Sequence, residues 1–245
     1  MSAVNLRYTI ISLLILALAA GLLFAIWKLF KLKATLNTLL DNEQWKQTCC
    51  KSGLNTSTKI IFFGDSQLAY WSMAPSFGTL PIDNKGISGD QTSKAISRFD
   101  ADVITQSPQI LVMLIGTNDL GKGHPIDEIT HNIEHMVSRA VSKNIKVVLC
   151  SLLPTRGEYA KSHNALDLKA INRNLDNISK TYCTDYVDFY SQLVDENGLF
   201  SSTFTSDGIH PNQTGYMKMS EILFPYLMQN YLRCSKNHRH HASAR

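Results

Sequence analysis

Short, uninterrupted apolar runs that alternate with segments of helical periodicity are the feature that most limits the fold of this 245-residue chain. Three of these runs have the length and composition of strands that are buried on both faces. A weaker strand is predicted at residues 186–189. Strands that alternate with helices form parallel sheets covered by helices. The pattern therefore predicts an α/β fold, with its strong strands at Lys59–Phe63, Ile110–Ile115 and Ile145–Cys150.

Helical periodicity marks three segments that lie between and after these strands. Over residues 129–141 the apolar side chains share one face, with Asp127 and Glu128 in the first turn and Lys143 in the last, as the helix dipole favours. Further helices are predicted at residues 168–182 and 215–232. With helices on both faces, the mostly parallel sheet becomes the middle of a three-layer α/β/α sandwich.

The composition is that of a packed domain and excludes several classes of protein. Hydrophobic residues make up 44% of the chain and charged residues 18%, which suits a packed core and not wholesale disorder. Part of the +4 net charge lies at the two ends, so the middle of the chain offers no basic stripe for nucleic acid. Five cysteines are few and odd in number, which rules out a disulfide scaffold.

A serine follows the first predicted strand, in Gly64-Asp65-Ser66. Ligands of parallel sheets bind beyond the carboxyl ends of the strands. If Ser66 opens the next helix there, backbone N–H groups lie close enough to stabilise an oxyanion. The alternative is that Ser66 is only a helix N-cap, and the tripeptide by itself favours that role. The segment is also not the G-x-S-x-G motif of α/β-hydrolases, because Leu68 stands at the second glycine position.

Asn118 and Asp119 follow the second strong strand, in the segment Gly-Thr-Asn-Asp at residues 116–119. The carboxamide of Asn118 can donate a hydrogen bond to an oxyanion without losing a proton of its own, and Asp119 can brace the loop. Taken alone, the segment is equally typical of a turn.

Asp207 and His210 are three residues apart, with a flexible glycine between them. A neutral imidazole that is held by a carboxylate can remove the proton of a serine hydroxyl near pH 7. From these residues alone, a solvated turn before a helix that begins at Pro211 is as well supported. In combination, the serine, the asparagine and the Asp-x-x-His turn supply a nucleophile, an oxyanion donor and an acid–base pair.

With these residues in view, the chain resembles the SGNH (GDSL-type) esterase and lipase family. The resemblance spans about residues 59–231 and excludes both ends of the chain. It departs from the family at Gln67, where the short motif has leucine and where the side chain is implied to point away from the chemistry. The blocks occur in family order, at residues 64–66, 87–90, 116–119 and 207–211.

The resemblance implies a flavodoxin-like form of the sandwich and a specific set of site residues. It implies Ser66 as the nucleophile, His210 as the general base and Asp207 as the carboxylate that orients it. It also implies an oxyanion hole made of the backbone N–H groups of Ser66 and Gly89 and the side chain of Asn118. We expect no metal and no cofactor.

The implied activity is hydrolysis of carboxylic esters through an acyl-enzyme. The expected substrates are small acyl esters, lipids or O-acetylated carbohydrates, and nucleic acid is not an expected partner. Two alternatives stay open: a catalytically silent ester- or glycan-binding module on a membrane stalk, and an O-acyltransferase that uses the same residues. The presence of all four polar residues, Ser66, Asn118, Asp207 and His210, argues against the silent module.

Three other features receive a structural interpretation. The stretch Tyr70–Phe77 has the composition of an acyl pocket or of plain core, and we assign it no role. His131 and His135 have the i, i+4 spacing of metal ligands, but no third ligand stands at a telling position, so we interpret them as part of a solvated face. Cys150 lies within a predicted strand and is interpreted as a small core residue.

An 18-residue run without a charge, Ile10–Trp27, precedes the α/β region. A helix of this length is about 27 Å long, close to the thickness of a bilayer's hydrocarbon core. The run is longer than the apolar region of a signal peptide and lacks a small-residue cleavage site after it, so an uncleaved anchor is favoured over a cleaved signal peptide or a buried helix. The lysines after the run favour a cytoplasmic domain, whereas the family resemblance also allows an extracytoplasmic one.

These observations divide the chain into four predicted parts. Residues 1–33 form a single-pass transmembrane anchor, residues 34–57 a linker, and residues 58–232 the hydrolase domain. Residues 233–245 form a basic tail that is predicted to be disordered. The histidines at positions 238, 240 and 241 of this tail are expected to bind metal only adventitiously.

Overall fold

The computed structural model describes residues 59–242, with side chains as far as residue 231. Its strands are β1 (Ile60–Gly64), β2 (Ile82–Gly86), β3 (Ile110–Leu114), β4 (Lys146–Cys150) and β5 (Asp185–Val187). They form one sheet in the order β2-β1-β3-β4-β5, and every neighbouring pair is parallel. This is the strand order of flavodoxin-like sheets, so the predicted sheet is confirmed.

Helices follow the strands and return the chain to the other end of the sheet. The third helix continues into a π-helical turn at Asp100–Ile104. The helices are α1 (Ser66–Ala69), α2 (Met73–Phe77), α3 (Thr92–Phe99), α4 (Thr117–Gly121), α5 (Ile126–Ser142), α6 (Tyr159–Ser162), α7 (Ala165–Thr181), α8 (Tyr190–Leu193) and α9 (Gln213–Ala242).

Successive side chains of the interior strand β1 enter two separate cores. Phe63 meets Phe99 of α3 edge-on, with 5.3 Å between ring centroids, on the face that α5 and α7 also cover. Phe62 points to the opposite face, where it meets Trp71 and Phe77 at 5.8 and 5.4 Å. Because one strand fills both cores, the sheet is the middle layer of the predicted three-layer sandwich.

The predicted strong strands are those that are buried on both faces. Every residue of β1 and β3 is buried, which explains why their sequences are continuous apolar runs. Strand β2 was not predicted. It lies at the edge of the sheet with half-buried residues, and its sequence Ile-Asp-Asn-Lys-Gly has no apolar run, so its pairing with β1 alone defines it.

The predicted amphipathic helices correspond to α5, α7 and α9. Helix α9 extends to Ala242, however, through most of the tail that was predicted to be disordered. The physical reason is that neither glycine nor proline occurs between Pro225 and Ala242, so the sequence contains no helix-breaking residue there.

The predicted membrane anchor and linker lie outside the described residues. Within residues 59–242, every helix is too short or too polar to cross a bilayer. The carboxyl ends of the strands carry the segments in which the sequence places the site residues, at the turns after β1 and β3 and in the long connection before α9.

Candidate active site

Strand β1 ends against the backbone of β3, and Gly64 makes this approach possible. A Cβ atom at Gly64 would lie 1.9 Å from the carbonyl oxygen of Leu114, so a side chain here would push the two strands apart. Asp65 follows as the N-cap of α1, and its carboxylate accepts a hydrogen bond from the Gln67 N–H at 3.0 Å. Ser66 is therefore the first residue of α1, and the alternative capping role belongs to Asp65.

The three residues that were predicted to act together form a hydrogen-bonded line. Ser66 Oγ lies 3.0 Å from His210 Nε2, and His210 Nδ1 lies 2.6 Å from Asp207 Oδ2. An ionised carboxylate only accepts hydrogen bonds, so Nδ1 carries a proton and donates a hydrogen bond to Asp207. That tautomer leaves Nε2 free to accept the hydrogen bond from the Ser66 hydroxyl.

The segment at residues 205–211 is called the histidine turn from here on. Hydrogen bonds between side chains and backbone groups of this segment fix its conformation. Asp207 Oδ1 accepts hydrogen bonds from the N–H groups of Ile209 and His210 at 3.0 and 2.8 Å. Thr205 Oγ1 donates to the carbonyl oxygen of His210 at 2.7 Å. Burial opposes ionisation of Asp207, but the hydrogen bonds from the side chain and backbone of His210 outweigh it and lower the pKa of Asp207 to about 2.

Gln67, the departure from the family motif, connects the histidine turn to α1. Its side chain is buried, but it is not remote from the site. Nε2 donates a hydrogen bond to the carbonyl oxygen of Ile209 at 2.9 Å, one residue before His210. A leucine at this position has no donor and cannot form this link. That Gln67 holds the histidine turn was not predicted from the sequence.

The predicted oxyanion donors Asn118 and Gly89 lie in the segments that follow strands β3 and β2. Asn118 is fixed through one of its two Nδ2 protons, which it donates to the carbonyl oxygen of Asp90 at 2.9 Å. Gly89 has a φ of +75°, a conformation that favours glycine. Among the described residues, no acceptor takes the backbone N–H of Ser66 or Gly89. Both groups are therefore free to bind a ligand oxygen.

Asp119 braces the loop, as the sequence suggested, and it does so across two blocks of the motif. Both of its carboxylate oxygens accept the Thr92 N–H at 3.0 Å, and Oδ1 accepts the Thr92 hydroxyl at 2.6 Å. Because Thr92 begins α3 directly after the Gly89 turn, these bonds lock that turn to the loop that carries Asn118.

Arg98 is a supporting residue that the sequence analysis missed. It donates to Asp90 Oδ2 from Nε at 2.8 Å and to the carbonyl oxygen of Gly64 from Nη2 at 3.0 Å. Its guanidinium lies 4.1 Å from the centroid of the Phe63 ring. The available signal was a charged residue between Ala95 and Phe99, two core positions of the same helix.

A fully buried carboxyl group lies beneath the nucleophile. Asp65 Oδ2 has no hydrogen-bond partner among the described residues. Burial, with repulsion from Asp119 and Asp90 added, raises the pKa of Asp65 to about 7.

Other candidate residues lie apart from this site or within the core. His131 and His135 are exposed on α5, and in the part of the chain that the structure describes, no cluster of three His, Cys, Asp or Glu side chains is placed to hold a metal. Cys150 is buried in β4, where burial raises the pKa of its thiol, as expected for a core residue. Of the aromatic stretch, Trp71 and Phe77 are core residues and Tyr70 is exposed.

A parallel α/β sandwich whose strand-end serine meets a histidine and an aspartate has the arrangement that serine hydrolases use. The sequence model of the GDSL-like Lipase/Acylhydrolase family matches residues 62–218, more than half of the chain. The chain belongs to this family and is a hydrolase that acts on ester bonds.

Three individual proteins are similar to this chain, and two of them are named as a lipase and an esterase. A solved GDSL-like lipase from Bacteroides thetaiotaomicron is 26% identical, with a TM-score of 0.66 over 76% of this chain and 97% of that one. Esterase TesA from Pseudomonas aeruginosa is 24% identical over 146 residues, which cover 60% of this chain and 69% of the esterase. The uncharacterized lipoprotein YqeF from Bacillus subtilis is 33% identical over 92 residues, which cover 35% of this chain and only 38% of the lipoprotein.

Proposed function

We propose that this protein is a serine esterase that hydrolyses carboxylic esters through Ser66, His210 and Asp207. The hydrogen-bonded line from Ser66 through His210 to Asp207 carries the proposal, with distances of 3.0 and 2.6 Å. These distances are within the range in which a base can take the proton of a nucleophile. The neighbouring donors at Gly89 and Asn118 add what acyl transfer further requires.

In the proposed reaction, Ser66 Oγ attacks the ester carbonyl carbon while His210 Nε2 takes the hydroxyl proton. The resulting imidazolium is stabilised by the carboxylate of Asp207. When the C–O bond breaks, His210 returns the proton to the leaving alcohol and an acyl-Ser66 ester remains. Water then repeats the sequence, with His210 as its base, and releases the carboxylic acid.

The negative charge of each tetrahedral intermediate falls on the former carbonyl oxygen. We assign its stabilisation to the N–H groups of Ser66 and Gly89 and to the side chain of Asn118. The bond from Asn118 to the Asp90 carbonyl holds the amide in place before the reaction, so no reorganisation is needed when the charge develops.

We further propose that residues 10–27 anchor the chain in a membrane as a single-pass helix, with the side of the domain left open. The length of the uncharged run supports this proposal. Extraction of membranes with alkaline carbonate tests the anchor, because an anchored chain stays in the pellet and a peripheral one is released.

The proposed substrate classes are small acyl esters, lipid acyl chains and O-acetylated carbohydrates.

Hydrolysis of p-nitrophenyl acetate, butyrate and octanoate by the full chain tests the proposed activity. We expect Ser66-dependent turnover, and Ser66→Ala should lower kcat by at least about 10³-fold. Ser93→Ala, which alters an exposed serine of α3, is the matched control and should keep the wild-type rate. Equal turnover by Ser66→Ala and the wild type would contradict the assignment of the nucleophile.

A further inference from the structure

One large aromatic side chain stands exposed beside the proposed general base. Tyr70, the C-cap residue directly after α1, keeps 54% of its surface accessible. Its ring centroid lies 5.1 Å from that of His210, and the two rings are tilted by 60°. The Tyr70 hydroxyl lies 3.0 Å from Ser88 Oγ, one residue before Gly89. Tyr70 therefore reaches from the proposed general base to the loop that carries a proposed oxyanion donor.

The neighbours of Tyr70 show that its exposure is not part of the packing of the core. Trp71 and Phe77 from the same aromatic stretch are only 2% and 4% exposed and pack on Phe62. Ile87, next to Ser88, is 47% exposed and adds a second apolar group on this side of the site. An exposed aromatic ring at a site is a surface on which a ligand can pack.

The chemistry of the proposed reaction decides which part of the substrate meets this ring. His210 Nε2 must return its proton to the oxygen of the leaving alcohol, so that oxygen lies within hydrogen-bond reach of the imidazole. Because the Tyr70 ring packs against the imidazole, groups attached to that oxygen come next to the ring. The acyl group, which is bonded to Ser66, lies on the other side of the reacting carbon.

We propose that Tyr70 is a specificity-determining residue on the alcohol side of the site and selects esters of ring-bearing alcohols. The ring packs against a flat or ring-shaped leaving group, and the hydrogen bond to Ser88 holds it in that position. The proposal rests on the proposed function and narrows its substrates to one class of alcohol.

The test compares benzyl acetate with n-butyl acetate on the full chain. Both esters give the same acetyl-enzyme, and both release primary alcohols of similar acidity, so their kcat/KM values differ through contacts to the alcohol. We expect Tyr70→Ala to lower the benzyl-to-butyl ratio of kcat/KM by about two- to tenfold relative to the wild type, the range measured for aromatic pairs.

Two milder variants examine the hydrogen bond that holds the ring. Tyr70→Phe and Ser88→Ala remove the same contact and leave a ring in place, so each should lower the ratio by the same amount, about twofold. The double variant should match either single one, because the second change removes nothing further. Additive losses in the double variant would overturn the role of this hydrogen bond.

Tyr159→Ala provides the matched control. Tyr159 is 39% exposed and also lies against a histidine, His163, with ring centroids 6.2 Å apart. This variant should keep the wild-type ratio. Equal losses on both esters in Tyr70→Ala, or the same ratio change in Tyr159→Ala, would overturn the proposal. Hydrolysis that persists in Ser66→Ala would instead contradict the proposed function itself.

Discussion

The two parts of the site, the strand-end loops and the histidine turn, hold their carboxylates in opposite environments. The strand-end loops comprise residues 64–66, 86–92 and 116–119, and their carboxyl groups are buried: Asp65, Asp90 and Asp119 are at most 5% exposed. In the histidine turn the side chain of Asp207 is 50% exposed. Asp90 is bound by Arg98 and Asp119 by Thr92, both residues of α3, whereas Asp207 is held by the backbone of its own turn.

This difference matches what each part does in the proposed mechanism. Oxyanion donors are effective when they are in position before the charge develops, and a buried hydrogen-bonded network keeps them there. The base, in contrast, must exchange protons with an alcohol and with water, so it has to be reached from solvent. A site of this kind combines a rigid set of donors with an accessible proton carrier.

Asp207→Asn replaces the exposed carboxylate of the histidine turn. We expect it to lower kcat more than any other substitution discussed below. The asparagine amide can donate to His210 Nδ1, which favours the tautomer whose Nε2 already carries a proton. That nitrogen then cannot accept the Ser66 proton, and kcat should fall by about 10³–10⁴-fold. The measurement is kcat on p-nitrophenyl acetate, with Asp83→Asn on the edge strand β2 as the control. A variant that keeps a tenth of the activity would contradict the role of Asp207.

Asn118→Ala removes a proposed oxyanion donor from the strand-end loops. We expect kcat to fall by about 10²–10³-fold, the usual effect of removing one such donor. The amide has no titrating proton, so the pH–rate profile should fall without moving along the pH axis. Asn132→Ala removes an amide that supports Thr92 and should lower stability more than kcat. A shift of the profile in Asn118→Ala would show that Asn118 acts on the base and not on the oxyanion.

Asp65→Asn tests the buried carboxyl group of the strand-end loops through the pH dependence of the free energy of unfolding. We expect its effect to be the smallest of the three substitutions. Burial raises the pKa of Asp65 to about 7, so between about pH 4 and 7 the folded chain keeps a proton that the unfolded chain releases. The wild-type free energy of unfolding should therefore fall with rising pH in this range, relative to the variant, by on the order of 2 kcal/mol. Parallel curves from urea unfolding at several pH values would contradict this.

Asp207 should behave in the opposite way in the same experiment. The pKa of Asp207 is lowered to about 2, so its contribution to stability is present above about pH 4 and is lost as the pH falls toward 2. The two carboxyl groups thus affect stability at opposite ends of the acidic range.

Sequence patterns predict the parts of the fold that are buried on two faces and miss those defined by pairing alone. Strands β1 and β3, and β4 after its exposed first residue Lys146, are apolar because water reaches neither face, and their sequences show it directly. Strand β2 is held by hydrogen bonds to β1 at the edge of the sheet, and backbone pairing imposes no apolar pattern. Helix α9 extends beyond its predicted end at residue 232 because polar residues alone do not end a helix.

The same reasoning separates the predictable site residues from the missed ones. Ser66, Gly89, Asn118 and the Asp-x-x-His turn occur in short local blocks, and the structure brings Ser66, His210 and Asp207 into hydrogen-bond contact. Gln67, and Arg98 in one of its contacts, donate to backbone carbonyl oxygens, which every residue possesses. Their partners at Gly64 and Ile209 therefore leave no mark in the sequence.

The distance along the chain between Ser66 and His210 has a consequence for biosynthesis. The two residues are 144 positions apart, near opposite ends of the α/β domain. In the proposed mechanism, a ribosome-bound chain that has exposed the sheet but not the histidine turn has its nucleophile without its base. The proposed ester cleavage would therefore begin only when synthesis of the domain is almost finished, after His210 has been added.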